Sequence, residues 1–396
     1  MSVKLKILFV DYFSLKSGYG GELWIKEIAS RLAKTHEVQV FTTDILVTKN
    51  ANLSDFPSYL ENIGVRVNEC SSIPFTTFPS IQGFLKLFKL ARWADVIYFH
   101  SIYGGMEFAI KISSTLFKVP VICGHHSPLL WYKLEPGLAW HKKTYFKIFG
   151  EGGKRTGVWF QFHHAINTQD YETLKKWPIK EAFYIPNGVE TKISISKQKA
   201  PTFTLVFLGR FDRHKGADLL QELLVKLFKE NLPIEFIIAG RGGPFEKKLN
   251  NVAIEFKFVK FLGYITDDEK NALLSRAHIL VMPSRYEGFS MLSLESISMG
   301  TPILAFPVQG LTDLIKEGVN GYLVRNLEEM IGKIKDLYKN WNDGIYGNIS
   351  KSTIESSLQY DWQVISEKLE SMICSVVNGR TFITLKEENF NELKSN

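Results

Sequence analysis

In the stretch SRYEGFSMLSLESISMGTPIL (284–304), Glu287 and Glu295 stand eight positions apart around Gly288 and the start of a helix. Two carboxylates so spaced can act as a general acid and base, ligate a metal, or hold different ends of one ligand. Ser290 has the chemistry of a helix N-cap, Gly300 that of a C-terminal stop, and Pro302 follows just beyond. The free amides of Phe289, Ser290 and Met291 then form an anion cradle at the positive end of the helix. Glu287 falls outside that helix and Glu295 about a turn inside it, with the anion site between them. Carboxylates flanking an anion are poor partners for one shared proton. They suit hydroxyls on opposite ends of a phosphate-bearing ligand, because a carboxylate accepts from two vicinal hydroxyls. A nucleotide sugar, with sugar, diphosphate and ribose in line, has that layout.

A second cluster of candidate ligands lies in LGRFDRHKG (208–216), which follows an apolar run and opens a helical one. Gly209 lets the backbone turn sharply. Arg210 then offers a planar fork and Lys215 a mobile point charge, a pairing suited to a diphosphate.

The elements that must position these residues alternate. LKILFV (5–10), EVQVFT (37–42), DVIYFH (95–100) and VPVIC (119–123) are short β-rich runs bounded by turns or helical stretches. The pattern restarts with TFTLVFLG (202–209), IEFIIAG (234–240), FKFVKFLG (256–263), HILVMP (278–283) and PILAF (302–306). Between the two sets, YIPNGVETKISISKQKAPT (184–202) has linker composition. The expectation is two doubly wound α/β Rossmann-like domains, residues 1–188 and 189–357, facing a central cleft at the carboxyl ends of their strands. At 396 residues the length suits two domains.

Composition excludes several classes. With 45% hydrophobic and 22% charged residues the chain is a folded protein, not a disordered one. No apolar run reaches the roughly 18 residues of a membrane span. The N-terminal KLKILFVDYF meets Asp11 and lacks a cleavage site, so it reads as a first strand and not a signal peptide. Cys70, Cys123 and Cys374 are scattered, against a disulfide framework or zinc cluster, and a cytoplasmic location is expected. The net charge of +7 suits phosphorylated ligands or an anionic membrane surface. No motif supports nucleic-acid binding.

EGFSMLSLE (287–295) matches the E-x7-E signature, and the surrounding sequence to Val324 resembles the family 4 retaining glycosyltransferases of the GT-B fold. GGEL (20–23), IPNGV (185–189), GRFDRHKG (209–216), AGRGG (239–243) and FLGYITDDE (261–269) agree with that family in order and spacing. The resemblance covers nearly the whole chain. It implies a nucleotide-diphosphate sugar as donor and hexose transfer, with retention, to a glycan, lipid-linked or other hydroxyl acceptor. Arg210 and Lys215 would hold the diphosphate, and Glu287 the sugar hydroxyls. Gly288 permits the turn that brings the amides of Phe289, Ser290 and Met291 to phosphate or sugar. Glu295 would bind the ribose, while Gly240, Arg241 and Tyr264 line the nucleotide side. Gly20 and Gly21 match paired glycines on the cleft wall. LQYDWQVISEKLESMICSVV (358–377) resembles the family's last helix, so residues 358–378 are expected to cross back to the first domain, before a polar tail, 379–396.

The family also carries a histidine after a first-domain strand. His126, the one preceding Ser127, is favoured; His125 and His100 are the other candidates. Its implied role is a hydrogen bond to the transferred sugar or a nearby phosphate. No Asp-x-Asp clamp follows a strand, and TDDEK (266–270) reads as helix capping, so no metal or other cofactor is expected. Two other readings are a nucleotide-sugar epimerase of the same fold, which needs an acid–base set in the cleft, and a non-catalytic sugar-nucleotide-binding protein.

The acceptor is expected on the first domain. Residues 131–164 mix aromatic residues with Lys142, Lys143, Lys147, Lys154 and Arg155, and residues 80–93 place Phe84, Leu87, Phe88 and Ala91 on one helical face beside Lys86, Lys89 and Arg92. Such segments fit peripheral contact with an anionic membrane, at its inner face, or equally a helix packed on its own sheet.

Overall fold

The computed structural model describes residues 3–46, 53–73, 79–100, 106–129, 140, 159–191, 199–341 and 345–379. The first half runs β1 (Lys6–Val10), α1 (Gly20–Leu32), β2 (Glu37–Thr43), α2 (Phe56–Asn62), β3 (Arg66–Cys70), α3 (Ile81–Trp93), β4 (Val96–Phe99) and α4 (Met106–Phe117). It ends with β5 (Val121–His125), β6 (Phe162–Ala165), α5 (Thr168–Leu174) and β7 (Glu181–Tyr184). These strands form one parallel sheet in the order β3-β2-β1-β4-β5-β6-β7. The order reverses between β1 and β4, and this switch point is where such sheets open a crevice.

The second half runs β8 (Phe203–Leu208), α6 (Ala217–Lys229), β9 (Ile234–Ala239), α7 (Glu246–Glu255), β10 (Val259–Gly263), α8 (Asp267–Arg276), β11 (Ile279–Met282) and α9 (Met291–Ser298). Then come β12 (Ile303–Ala305), α10 (Leu311–Leu314), β13 (Gly321–Leu323), α11 (Leu327–Asn340) and α12 (Ile345–Ser357). Its parallel sheet has the order β10-β9-β8-β11-β12-β13, reversing between β8 and β11. Central strands such as β8 are buried at every position, which is why they read as unbroken apolar runs.

The last helix, α13 (Trp362–Asn378), returns to the first half. Asp361 caps it, accepting from the Gln363 amide at 2.8 Å, and Gly379 ends it in a left-handed conformation. Its buried face, Trp362, Ile365, Leu369, Met372, Ile373 and Val376, shares one core with Ile7, Phe9 and Trp24.

Of the two readings of the α3 stripe, it is the helix packed on its own domain that the structure shows: Leu87 and Ala91 are buried with Phe99 and Ile110, and Phe84 packs against them. Period 3.6 amphipathicity is the same whichever apolar medium receives it. Most of 131–164, including Lys142, Lys143, Lys147, Lys154 and Arg155, lies outside the described residues, as does the tail from 380.

Candidate functional site

The two sheets face each other across a cavity of about 380 Å³. Its second-domain wall is the β11–α9 connection. The Ser290 side chain accepts from the Ser293 amide at 3.3 Å and caps α9, so the helix starts at Met291, and Ser290, Met291 and Leu292 line the cavity. Gly288, Phe289 and Met291 line the same wall. Glu287 is buried beside them, accepting from Lys215 Nζ at 2.8 and 2.9 Å and from Ser284 Oγ at 2.8 Å. The lysine proposed for a diphosphate is thus paired with the carboxylate proposed for the sugar.

The first-domain wall is built from the β1, α1, β4 and β5 ends. Gly20 and Gly21 begin α1 and lie in the cavity lining. A Cβ on Gly20 would come 3.3 Å from Met291 Cγ, and one on Gly21 would come 2.8 Å from His100 Cε1. A side chain at Gly21 would therefore displace His100, whereas one at Gly20 would need Met291 to give by a few tenths of an ångström. His100 and His126 stack at 3.9 Å between ring centroids, and Trp24 sits 4.5 Å from His126. His125 does not join them. It turns to the other side of β5, bonded to His163 at 2.9 Å, and burial, with the nearby His163 and His164 adding to it, holds it well below the usual histidine range.

Two acids that the sequence reading did not single out also line this wall. Asp11 Oδ1 accepts from the Tyr12 amide at 2.6 Å, while Oδ2 lies 3.3 Å from His100 Nδ1 without a hydrogen bond. Glu22 Oε2 accepts from the Tyr19 amide at 2.9 Å. Burial, and then the nearby Asp11 charge, push Glu22 up to about 8, so it carries a proton at neutral pH. Asn187, from the IPNGV segment, bridges the walls by donating from Nδ2 to the Phe289 carbonyl at 2.9 Å. Its Oδ1 is buried without a partner. A carboxylate and an amide oxygen left without donors call for a ligand rich in hydroxyls.

The other expected residues lie around this centre. Arg210 faces a neighbouring pocket of about 450 Å³ with Arg213, His214 and Tyr286, and shares only the Ser127 edge with the first cavity. Its Nε is 3.1 Å from Asp212 Oδ2. Burial alone would raise Asp212, but His214 and Arg210 together hold it below the usual carboxylate range. Gly240 and Arg241 follow β9, and the Arg241 guanidinium lies 4.5 Å over the half-exposed Tyr264 ring. Glu295 sits within α9 and is bonded to Lys270 Nζ at 2.8 Å. Burial raises its carboxyl and Lys270 opposes that rise. Lys270 was missed because TDDEK gave a complete local reading. Thr266 and Glu269 do form a capping box, and Lys270 also bonds Asp267, but it reaches Glu295 as well. No group of three or more His, Cys, Asp or Glu side chains that could hold a metal occurs among the described residues.

This geometry accords with what the chain is similar to. Residues 202–340 match the family model described as glycosyl transferases group 1. Among relatives, an uncharacterized glycosyltransferase of Methanocaldococcus jannaschii is 26% identical over 213 residues, 52% of this chain and 51% of that protein. The sulfoquinovosyl transferase of Arabidopsis thaliana is 23% identical over 332 residues, 78% of this chain and 64% of that one. The chain thus spans about half the length of the first relative and under two thirds of the second. Among solved structures, HepE of Anabaena in complex with UDP and glucose gives a TM-score of 0.72 at 19% identity, covering 94% of this chain and 100% of that one. The fold is GT-B. In GT-B terms the cavity lies between the two Rossmann-like domains, with the family-model match confined to the second.

Proposed function

We propose that the protein is a retaining, metal-independent glycosyltransferase that moves a hexose from a nucleotide-diphosphate sugar to a hydroxyl on a glycan or lipid-linked acceptor. The observation that carries this is one cavity lined by Lys215, Glu287 and the capped α9 terminus on one side and by His126 and the Gly20–Gly21 opening on the other. Fixed cations and helix amides aimed at a leaving diphosphate supply the electrostatic stabilisation that a metal otherwise gives. In this reading Glu287, already paired with Lys215, holds the sugar and does not attack it. Retention then follows a same-face course in which the leaving phosphate helps deprotonate the acceptor hydroxyl. HepE, solved with UDP and glucose, supports the donor class.

Calorimetric titration with UDP, GDP and ADP tests the donor site. One diphosphate is expected to bind the wild type and to bind Glu295→Ala at least about tenfold more weakly, the loss of a charge-assisted bond to ribose. A folded wild type that binds none of the three sinks the assignment. Transfer with inversion at the anomeric carbon, read by NMR of the product, would refute retention.

We also place the protein at the inner face of an anionic membrane. No helix among the described residues is long and apolar enough to cross a bilayer. The neighbouring α3 and α4 expose Ile81, Leu85, Phe108, Ile112 and Leu116, and α3 also exposes Lys86, Lys89 and Arg92. Phe108, Ile112 and Leu116 recur every four residues, so they form one stripe. Apolar side chains flanked by cations suit an anionic interface. Ile112→Glu with Leu116→Glu is expected to abolish cosedimentation with vesicles containing phosphatidylglycerol. Wild type that stays in the supernatant with such vesicles at low salt rules the contact out.

A further inference from the structure

His126 is the cleft end of a hydrogen-bonded chain that runs into the first-domain core. Its Nε2 lies 2.9 Å from the Tyr98 hydroxyl oxygen, which lies 2.6 Å from His164 Nδ1. His164 Nε2 in turn lies 2.7 Å from the Ile185 carbonyl oxygen. These links determine where each proton sits.

A carbonyl only accepts, so His164 carries its proton on Nε2. Burial pushes His164 down to about 4, against the Ile185 bond, so the ring is neutral at physiological pH. Its Nδ1 is then a bare lone pair, and the Tyr98 hydroxyl must donate to it. Burial holds the Tyr98 phenol well above its usual range, so that proton stays in place. With its one proton committed to His164, the Tyr98 oxygen faces His126 as an acceptor. His126 Nε2 must therefore carry the proton between them. Burial, with the neighbouring histidines adding to it and Asn187 opposing, also holds His126 well below the usual range. A neutral ring protonated at Nε2 has a bare Nδ1.

We infer that Tyr98 and His164 are positioning residues that fix His126 as the Nε2–H tautomer, so that its Nδ1 accepts a hydrogen bond from a hydroxyl of the bound ligand. The inference rests on the reading of the cavity as a nucleotide-sugar site for the identity of that ligand, but not for the tautomer. It decides between the two roles the sequence left open for this histidine. A lone pair repels a phosphate oxygen and attracts a hydroxyl hydrogen, so the partner is sugar or acceptor hydroxyl. The surroundings agree. The ring cannot easily turn over, being stacked on His100 and packed against Trp24. Asn187 lines the same wall beside it. Gly124 leaves the room the chain needs, since a Cβ there would lie 2.4 Å from the Tyr98 oxygen and 2.9 Å from His126 Nε2.

The test is a long-range ¹H–¹⁵N correlation spectrum of ligand-free protein labelled with ¹⁵N-histidine, the His126 signals being identified by their loss in His126→Gln. The expected wild-type spectrum shows Nε2 protonated and Nδ1 bare, unchanged well below the pH at which an ordinary histidine titrates. The opposite tautomer in wild type overturns the inference, whether or not any variant folds. In Tyr98→Phe the Nε2–H loses its acceptor, and a mixture of both tautomers is expected. With it, kcat should fall about tenfold while the KM for donor stays within about twofold, as for loss of one aligned hydrogen bond. A Tyr98→Phe spectrum identical to wild type also overturns the inference. The spectra need no turnover, so a correct tautomer in a protein without transferase activity would uphold the chain and reject the functional reading alone.

Discussion

Replacing Glu287 by alanine is expected to lower kcat for sugar transfer by about two to three orders of magnitude, the cost typical of removing one preorganised polar group from an active site. The carboxylate is 7% exposed and accepts three hydrogen bonds, two from Lys215 Nζ and one from Ser284 Oγ. Its loss has two consequences. On the proposed reading the transferred sugar would lose an acceptor for its hydroxyls, and Lys215 loses the group that fixes its ammonium at the cleft. Breaking a fully buried ion pair costs roughly 3–5 kcal/mol, but the Lys215 side chain keeps 21% of its exposure, so water recovers part of that. The variant should therefore stay folded with a moderately lowered Tm, and activity should suffer far more than stability. Glu287→Gln keeps the shape and the Ser284 contact but not the charge, and is expected to fall nearly as far. Steady-state kinetics on both variants decides the matter. Activity in Glu287→Ala within tenfold of wild type would remove this residue from the catalytic centre.

Gly240→Ala is expected to be the most destabilising single substitution around the site, at more than about 3 kcal/mol. Gly240 has φ +141°, and a Cβ there would stand 1.9 Å from the Gly209 carbonyl oxygen. No side chain can move aside, because the obstacle is backbone held in place on both sides. The Gly240 amide donates to the Gly263 carbonyl at 2.7 Å and the Gly209 amide to Ala239 at 3.2 Å. The ends of β8, β9 and β10 are locked together at this point, so relief must come from separating strands. Gly242→Ala is the control: its φ is +70°, but nothing lies within 4 Å of the added carbon. That substitution should cost only the left-handed backbone penalty, about 1–2 kcal/mol. Urea unfolding of both proteins compares them directly. A Gly240→Ala no worse than Gly242→Ala would show that the strand ends tolerate being pushed apart.

What the sequence revealed follows from which physical signals are local. β1, β4 and β8 were legible as runs because a strand covered on both faces is apolar along nearly all its length. β3, Arg66–Cys70, escaped because it is an edge strand with no fully buried residue. β6 escaped because its buried FHHA holds two histidines, whose polarity is satisfied by Tyr98, His125 and Ile185 only after the sheet forms. β13 is three residues long, too short for any period. At the site, the α9 cap was readable from Ser290 alone, since capping is decided within one turn. The pairing of Lys215 with Glu287 and of Lys270 with Glu295 spans 72 and 25 positions, and no local pattern encodes it. Neither did any pattern tell which nitrogen of His126 is bare. That depends on the Ile185 carbonyl, three links away through the fold.

The path of α13 has a consequence for synthesis. Trp362, Ile365, Leu369, Met372, Ile373 and Val376 complete the hydrophobic core begun by Ile7, Phe9 and Trp24. Each such side chain contributes about 1.5–3 kcal/mol when buried. A nascent chain emerging from the ribosome therefore holds an unfinished first domain until the last helix appears. The second domain has its own core, from Phe203 to Leu337, and can fold as soon as it is made. The half that is made first is thus expected to complete its core only after the last helix has been made.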